Sequence, residues 1–283
     1  MWLAWALGSA VLSAAASIGE KKSLFRTDAV TFSFLLSAVL MAYSLCTIFI
    51  VDVTAVTSAT LLILILKGIV NALAFLLVMM ALQRAEISST LPLLALTPGI
   101  VALLAYFTIG DAISTREIIG LVLMIGGMVL LERKGGNIIK AHWYIWVALV
   151  LFAVSAVMDK ALVSGHKTHP FVVLFYQHAV FVLMYAALFF QKKKSLRNIV
   201  AHENRSTLGL IVIVAVLTIS YRYAQLAATQ LAPVALVLAV KRTSVFFASL
   251  VGGKMFSEQR LPWKLIGAAL IIVAGFFILR VVG

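Results

Sequence analysis

LSAAASIGEK at residues 12–21 and LFAVSAVMDK at 151–160 read as two copies of one helix end, set 139 residues apart. Each is an apolar, small-residue run closing on an acid–lysine pair, Glu20–Lys21 in the first and Asp159–Lys160 in the second. Further along the offset becomes 147. ALQRA at 81–85 falls on ATQLA at 228–232, and Asp111 to Gly120 falls on Glu258 to Gly267. The extra eight residues fit the basic loop 191–206, against the short connection 51–58 of the first half. The chain therefore reads as two units, 1–135 and 140–283.

Composition supplies the solvent. Of 283 residues, 63% are hydrophobic and 12% charged, where a soluble domain carries roughly 45–50% and about 25%. No single water-soluble core hides that much apolar surface, so lipid is the medium. Apolar runs between charge clusters give ten spans, at 2–19, 29–50, 59–82, 88–108, 115–131, 142–159, 170–190, 207–228, 232–251 and 262–281. These are continuous runs rather than alternating segments of about ten residues, which speaks against a β-barrel. Five spans per unit make the two copies insert in opposite directions. The expected fold is all-α and integral to the membrane: ten transmembrane helices as two inverted five-helix repeats. That architecture points to a transporter binding its substrate near mid-membrane between the halves. Residues 2–18 resemble a signal peptide only superficially, since they lack a basic leader and match the sixth span, so they read as a mature first helix.

The balance of 23 Lys+Arg against 10 Asp+Glu gives a net charge of +13. Nucleic acid is excluded as a partner, because the charges lie at span ends or inside spans. Cys46 is the single cysteine, so there is neither an intrachain disulfide nor a CxxC. His166 and His169 have ligand-like spacing but lack the further ligands of a zinc site, so no metal and no cofactor are expected. Trp2, Trp5, Trp143 and Trp146 sit near span ends as interfacial anchors. Pro92 and Pro98 are expected to kink the fourth span.

Four cations lie where cations are costly. Lys67 is well inside the third span, Arg222 inside the eighth between Tyr221 and Tyr223, and Lys241 and Arg242 at the middle of the ninth. Each costs roughly 2.5–3.5 kcal/mol at a helix centre on insertion scales. By these boundaries every acid falls at a helix end or in a loop, so the expected partner is an anionic substrate. Asn71 follows Lys67 by one turn, Tyr221 adjoins Arg222, and Gln177 and His178 lie on the seventh span, completing a candidate binding set. Lys offers a mobile point charge, and Arg a planar fork that matches two oxygens of phosphate or carboxylate. Glu20, Lys21, Asp159 and Lys160 end the first and sixth spans, where each acid–lysine pair can neutralise itself at the interface or serve as a gate.

The stretch 81–131, with LPLLALTP at 91–98, FTIGD at 107–111 and IGGMVLL at 125–131, resembles the drug/metabolite transporter superfamily in its EamA-type ten-helix branch. Pro98, Gly110–Asp111, Gly120 and Gly126–Gly127 carry the likeness, which returns in the second half as Gly253, Glu258, Gly267 and Gly275. The resemblance implies two inverted bundles around a central cavity with alternating access. VKRTS at 240–244 is also similar to the ninth-helix KR pair of the plastid triose-phosphate/phosphate translocators, which grips substrate phosphate. That similarity implies that Lys241 and Arg242 hold an anionic group here. Small multidrug exporters of the superfamily carry a glutamate deep in their first helix. Here Ser9, Ser13 and Ser17 occupy that helix and no acid appears until Glu20, which argues against proton-coupled export of cationic drugs.

The expected function is secondary transport of a small phosphorylated or carboxylated organic anion by alternating access, alone or in exchange for another anion, by a monomer or homodimer. The alternatives are export of amino acids or other neutral or zwitterionic metabolites, and flipping of a lipid-linked phosphate. An enzyme is not expected, since no nucleophile or metal constellation is present. The expected location is a bacterial or archaeal plasma membrane. Loops after the odd-numbered spans hold fifteen Lys/Arg, against Arg116, Lys160, Lys167 and Arg280 on the opposite side. By the positive-inside rule this puts both termini outside.

Overall fold

The structure is a computed structural model that describes residues 1–109, 143–194, 205–258 and 261–279, with isolated positions between 115 and 126. The described residues are helical and contain no strand. The helices are α1 (Trp2–Leu24), α2 (Ala29–Cys46), α3 (Ser58–Arg84), α4 (Ile87–Leu94), α5 (Thr97–Ile109), α6 (Trp143–Lys160), α7 (Pro170–Gln191), α8 (Arg205–Leu231), α9 (Val234–Met255) and α10 (Leu261–Leu279). A 3-10 turn, Thr47–Phe49, prolongs α2, and a π turn, Ala161–Gly165, prolongs α6. Six of these helices are long and apolar enough to cross a membrane. Large apolar side chains such as Val11, Leu183 and Ile213 stand exposed on the outside. The protein is an integral membrane protein.

The predicted span 88–108 is not one helix but two, α4 and α5, and Pro98 is the reason. Proline has no N–H to give to the carbonyl four residues back, and its ring crowds that carbonyl. The orphaned acceptor, Leu94 O, is taken instead by the Thr97 hydroxyl at 2.5 Å. The predicted span 115–131, with Asp111, Gly120 and Gly127, falls almost entirely outside the described residues.

Packing is chiefly between the halves, with α1 against α8 and α9, α3 against α6 and α7, and α2 against α7. Named contacts give the directions. Ser9 meets Tyr221 and Arg26 meets Ser206, so α1 and α8 are antiparallel. Lys67 meets Asp159, Asn71 meets Ser155 and Arg84 meets Tyr144, so α3 and α6 are antiparallel. Lys21 Nζ donates to Leu82 O at 2.6 Å and Ala85 O at 2.7 Å, tying the C-terminal ends of α1 and α3 together. Lys160 Nζ donates to Thr229 O at 2.9 Å and Ala232 O at 3.0 Å, doing the same for α6 and α8. The four acceptors are 147 residues apart in pairs, and the two lysines 139 apart. The two lysines thus make like contacts at two helix ends, and α1 and α3 run opposite to α6 and α8.

Close approach of α3 and α7 depends on Gly68. A Cβ there would lie 2.9 Å from both Cβ and Cγ2 of Val180, whose branched stem cannot swing aside. Gly68→Ala is expected to cost about 1–3 kcal/mol by overpacking, read as a lower melting temperature in detergent. Gly8→Ala, with nothing within 4 Å of the added Cβ, is expected to leave the melting temperature unchanged.

Asp28 caps α2, accepting from Val30 N at 3.2 Å and Thr31 N at 3.3 Å, and also pairs with Lys194 beyond the end of α7. Partial burial works to raise its carboxyl, but hydrogen bonds from Lys194 and Thr31 outweigh this and hold it below the usual carboxylate range. A depressed carboxylate stabilises the fold above its unfolded pKa of about 3.9, and that contribution is lost as pH falls through the folded value. Asp28→Asn keeps a capping oxygen and removes the charge. Its melting temperature is expected to fall slightly below wild type at pH 7, and the difference to shrink once pH drops below about 3.9 and to vanish only below the lower folded value. A difference that is unchanged at low pH contradicts the pairing.

Candidate functional site

A cavity of about 110 Å³ lies between the halves, lined by α1 to α4 of the first and α6 to α9 of the second. Its charged lining is Glu20, Asp159, Arg222, Lys241 and Arg242, joined by Asn71, Gln177, His178, Tyr221 and Gln225. Of the eight candidate binding residues, seven line this cavity. The eighth, Lys67, is fully buried behind it.

The acid expected to be missing at this depth is present. Asp159, 1% exposed, has Oδ1 2.9 Å from Lys67 Nζ and Oδ2 3.2 Å from Arg222 Nη2. Hydropathy ended the sixth span at 159, yet the helix runs on through the π turn to Gly165, leaving Asp159 more than a turn inside. Gln177 Oε1 completes this ionic core by accepting from Lys67 and, at 3.1 Å, from Arg222 Nη2. The two acid–lysine pairs are not local pairs either. Lys21 and Lys160 turn outward to helix-end carbonyls, while Glu20 and Asp159 turn inward.

Lys241 and Arg242 have no such acid. Among the described residues neither has a carboxylate at ion-pair distance. Lys241 Nζ donates to Gln225 Oε1 at 2.6 Å and lies 4.6 Å over the Tyr221 ring. Gln225 Oε1 also accepts from Arg222 Nη1 at 3.1 Å, so one amide oxygen steadies two cations. Arg242 Nη2 donates to Thr97 Oγ1 at 2.7 Å, the hydroxyl freed for this site by the break before Pro98. Among the described residues Arg242 Nε has no hydrogen-bond partner, nor do Arg222 Nε and His178 Nε2. The other His178 nitrogen, Nδ1, is 2.6 Å from Ser44 Oγ, which fixes the ring. Neutral partners satisfy hydrogen bonds without cancelling charge, so this end of the cavity stays electropositive.

Sequence reading did not single out Thr97 as a partner here, nor which helix Glu258 caps. Thr97 had a signal, the Thr-Pro pair inside an apolar span. Glu258 crosses between halves to cap α4, accepting from Ile87 N at 2.6 Å and Ser88 N at 3.0 Å. A helix-end cap supplied from another element cannot be read from local spacing.

Residues 1–133 match the EamA-like transporter family. Over 56 residues, the chain is 39% identical to the probable 4-amino-4-deoxy-L-arabinose-phosphoundecaprenol flippase subunit ArnE of Pseudomonas aeruginosa (strain UCBPP-PA14), and 38% identical to the protein of the same name in Pseudomonas paraeruginosa (strain DSM 24068 / PA7). That stretch is 20% of this chain, which spans about half, 49%, of each relative's length. A crystal structure of another protein superposes on 98% of this chain and 95% of its own, with a TM-score of 0.71 and 14% identity. The overall fold is thus shared with a solved structure over nearly the whole chain.

Proposed function

We propose that the protein is a secondary transporter that moves a small organic anion, phosphorylated or carboxylated, through the central cavity by alternating access. Its units, 1–135 and 140–283, act as two inverted five-helix repeats whose rocking exposes the cavity to one side and then the other. The observation that carries this reading is the contrast between two pairs of cations. Lys67 and Arg222 share Asp159, whereas Lys241 and Arg242 face the cavity with neutral partners only. Burying two cations without a counter-charge is expensive, and a bound anion offsets it. The twin lysine clamps at equivalent helix ends support the repeat. Lys21 and Lys160, with the acids beside them, are the residues whose contacts change as the two ends open in turn.

A second reading is favoured by the relatives, named as probable subunits of a flippase for a phosphate-linked lipid sugar. A cavity of about 110 Å³ is too small for a lipid tail, so in that case the tail stays between helices in the bilayer. Both readings place the phosphate at Lys241 and Arg242.

Counterflow in proteoliposomes tests the proposal. Vesicles loaded with an unlabelled phosphate ester or dicarboxylate are expected to take up the labelled anion, and to do so with the pH gradient collapsed. Redistribution of a fluorescent lipid-linked phosphate, with no uptake of soluble anions, moves the assignment to the flippase. Uptake of neutral amino acids alone, or strict dependence on an imposed proton gradient, overturns anion exchange. Orientation is checked in the same vesicles. Thr54→Cys in a Cys46→Ala background reports the side of the 51–57 loop, expected to be that of the N-terminus.

A further inference from the structure

Glu20 is 5% exposed, lines the cavity, and forms no hydrogen bond or ion pair among the described residues. Its counterpart in the repeat, Asp159, is equally buried but has two cations built around it. The offset of 147 gives the positions that would hold matching cations beside Glu20. Lys67 maps to Val214 and Arg222 maps to Phe75. The mapping is sound in space: Val214 packs directly on Gly19, next to Glu20, and Phe75 lines the same cavity. Both cations of the second-half site are thus replaced by apolar side chains in the first. A carboxylate with its water stripped and no partner is as costly as a bare cation. Lys241 acts on it only through space, because its ammonium is engaged by Gln225 and Tyr221 and forms no ion pair with Glu20.

We infer that Glu20 is the subsite for a cationic group of the substrate, so that the cavity takes a dipolar solute with an amine at one end and an acidic group at the other. This rests on the anion reading of Lys241 and Arg242 and adds the second pole. The surroundings of Glu20 suit an ammonium. Ser13 and Ser17 line the cavity from the same helix, offering hydroxyl acceptors. Phe75, Phe152 and Phe181 contribute aromatic rings, which attract cations through their π faces. The charges are also ordered by half. The acid comes from α1, and the cations that lack a carboxylate come from α9, so a dipolar solute has one favoured orientation across the interface of the repeats.

The test uses two probes that differ by one amine, ethyl phosphate and O-phosphoethanolamine, titrated calorimetrically into the full-length protein in nanodiscs. O-phosphoethanolamine is expected to bind wild type at least tenfold more tightly than ethyl phosphate. Glu20→Gln is expected to bring that ratio to about one while binding ethyl phosphate at least as tightly as wild type, since a negative charge has gone from the cavity. Val214→Lys, which installs the missing cation beside Glu20, is expected to remove the amine preference with the carboxylate still in place. It also serves if Glu20→Gln does not fold. Equal affinity of the two probes for wild type, or a ratio that survives in either variant, overturns the amine subsite and leaves the anion reading standing. Binding of neither probe to wild type removes the anion reading itself, and the dipolar proposal with it.

Discussion

Asp159→Ala is expected to be among the most destabilising single substitutions in this protein, costing about 3–5 kcal/mol. Lys67 is fully buried and Arg222 nearly so, and both draw on the one carboxylate. Removing it strands two charges that no other acid of the described residues reaches. The readout is the melting temperature and folded yield in detergent, with Asn71→Ala as a neighbour that loses only a bond to Ser155. Lys67→Met combined with Asp159→Asn is expected to recover a large part of the loss, because one stranded charge goes with the acid. If Asp159→Ala melts within about 0.5 kcal/mol of wild type, Lys67 and Arg222 are neutralised in some other way. The contrast with Lys241 and Arg242 then disappears.

The opposite pattern is expected at the second pair. Lys241→Ala and Arg242→Ala should fold and insert at least as well as wild type, since each removes a cation that costs roughly 2.5–3.5 kcal/mol at this depth. Their protein partners are not left empty. Gln225 Oε1 keeps its bond from Arg222, and the Thr97 hydroxyl keeps its bond to Leu94 O. Anion binding should nevertheless weaken by about 2–5 kcal/mol, or about thirty-fold to a few thousand-fold in affinity. Arg242→Lys should restore part of it, having the charge but not the two-pronged geometry. Variants that misfold while the surviving protein binds anions normally would make the pair structural.

Much of this was legible in the residues. Sequence periodicity located the apolar helices, and the acid–lysine pairs marked the two helix ends where Lys21 and Lys160 reach neighbouring carbonyls. The four buried cations stood out because charge inside an apolar run is rare. What was lost traces to one cause, the placing of helix ends by hydropathy. An apolar run stops at its first charges, but α1 continues to Leu24 and α6 through its π turn to Gly165. Lys21 and Lys160 are long enough to reach neighbouring carbonyls from within the helix, so those charges do not end it. Ending the spans early turned Glu20 and Asp159 from cavity groups into interfacial ones, and hid the counter-ion of Lys67 and Arg222. The split at Pro98 was half-visible: a kink was expected, but not that Thr97 would be released to hold Arg242.

The position of a bound anion tests the central claim most directly. A structure of the full-length protein with ethyl phosphate is expected to place the phosphate between Lys241 Nζ and the Arg242 guanidinium, with Lys67 and Arg222 still on Asp159. Phosphate seated on Lys67 and Arg222 with Asp159 displaced, or found only on the outer basic loops, would contradict it.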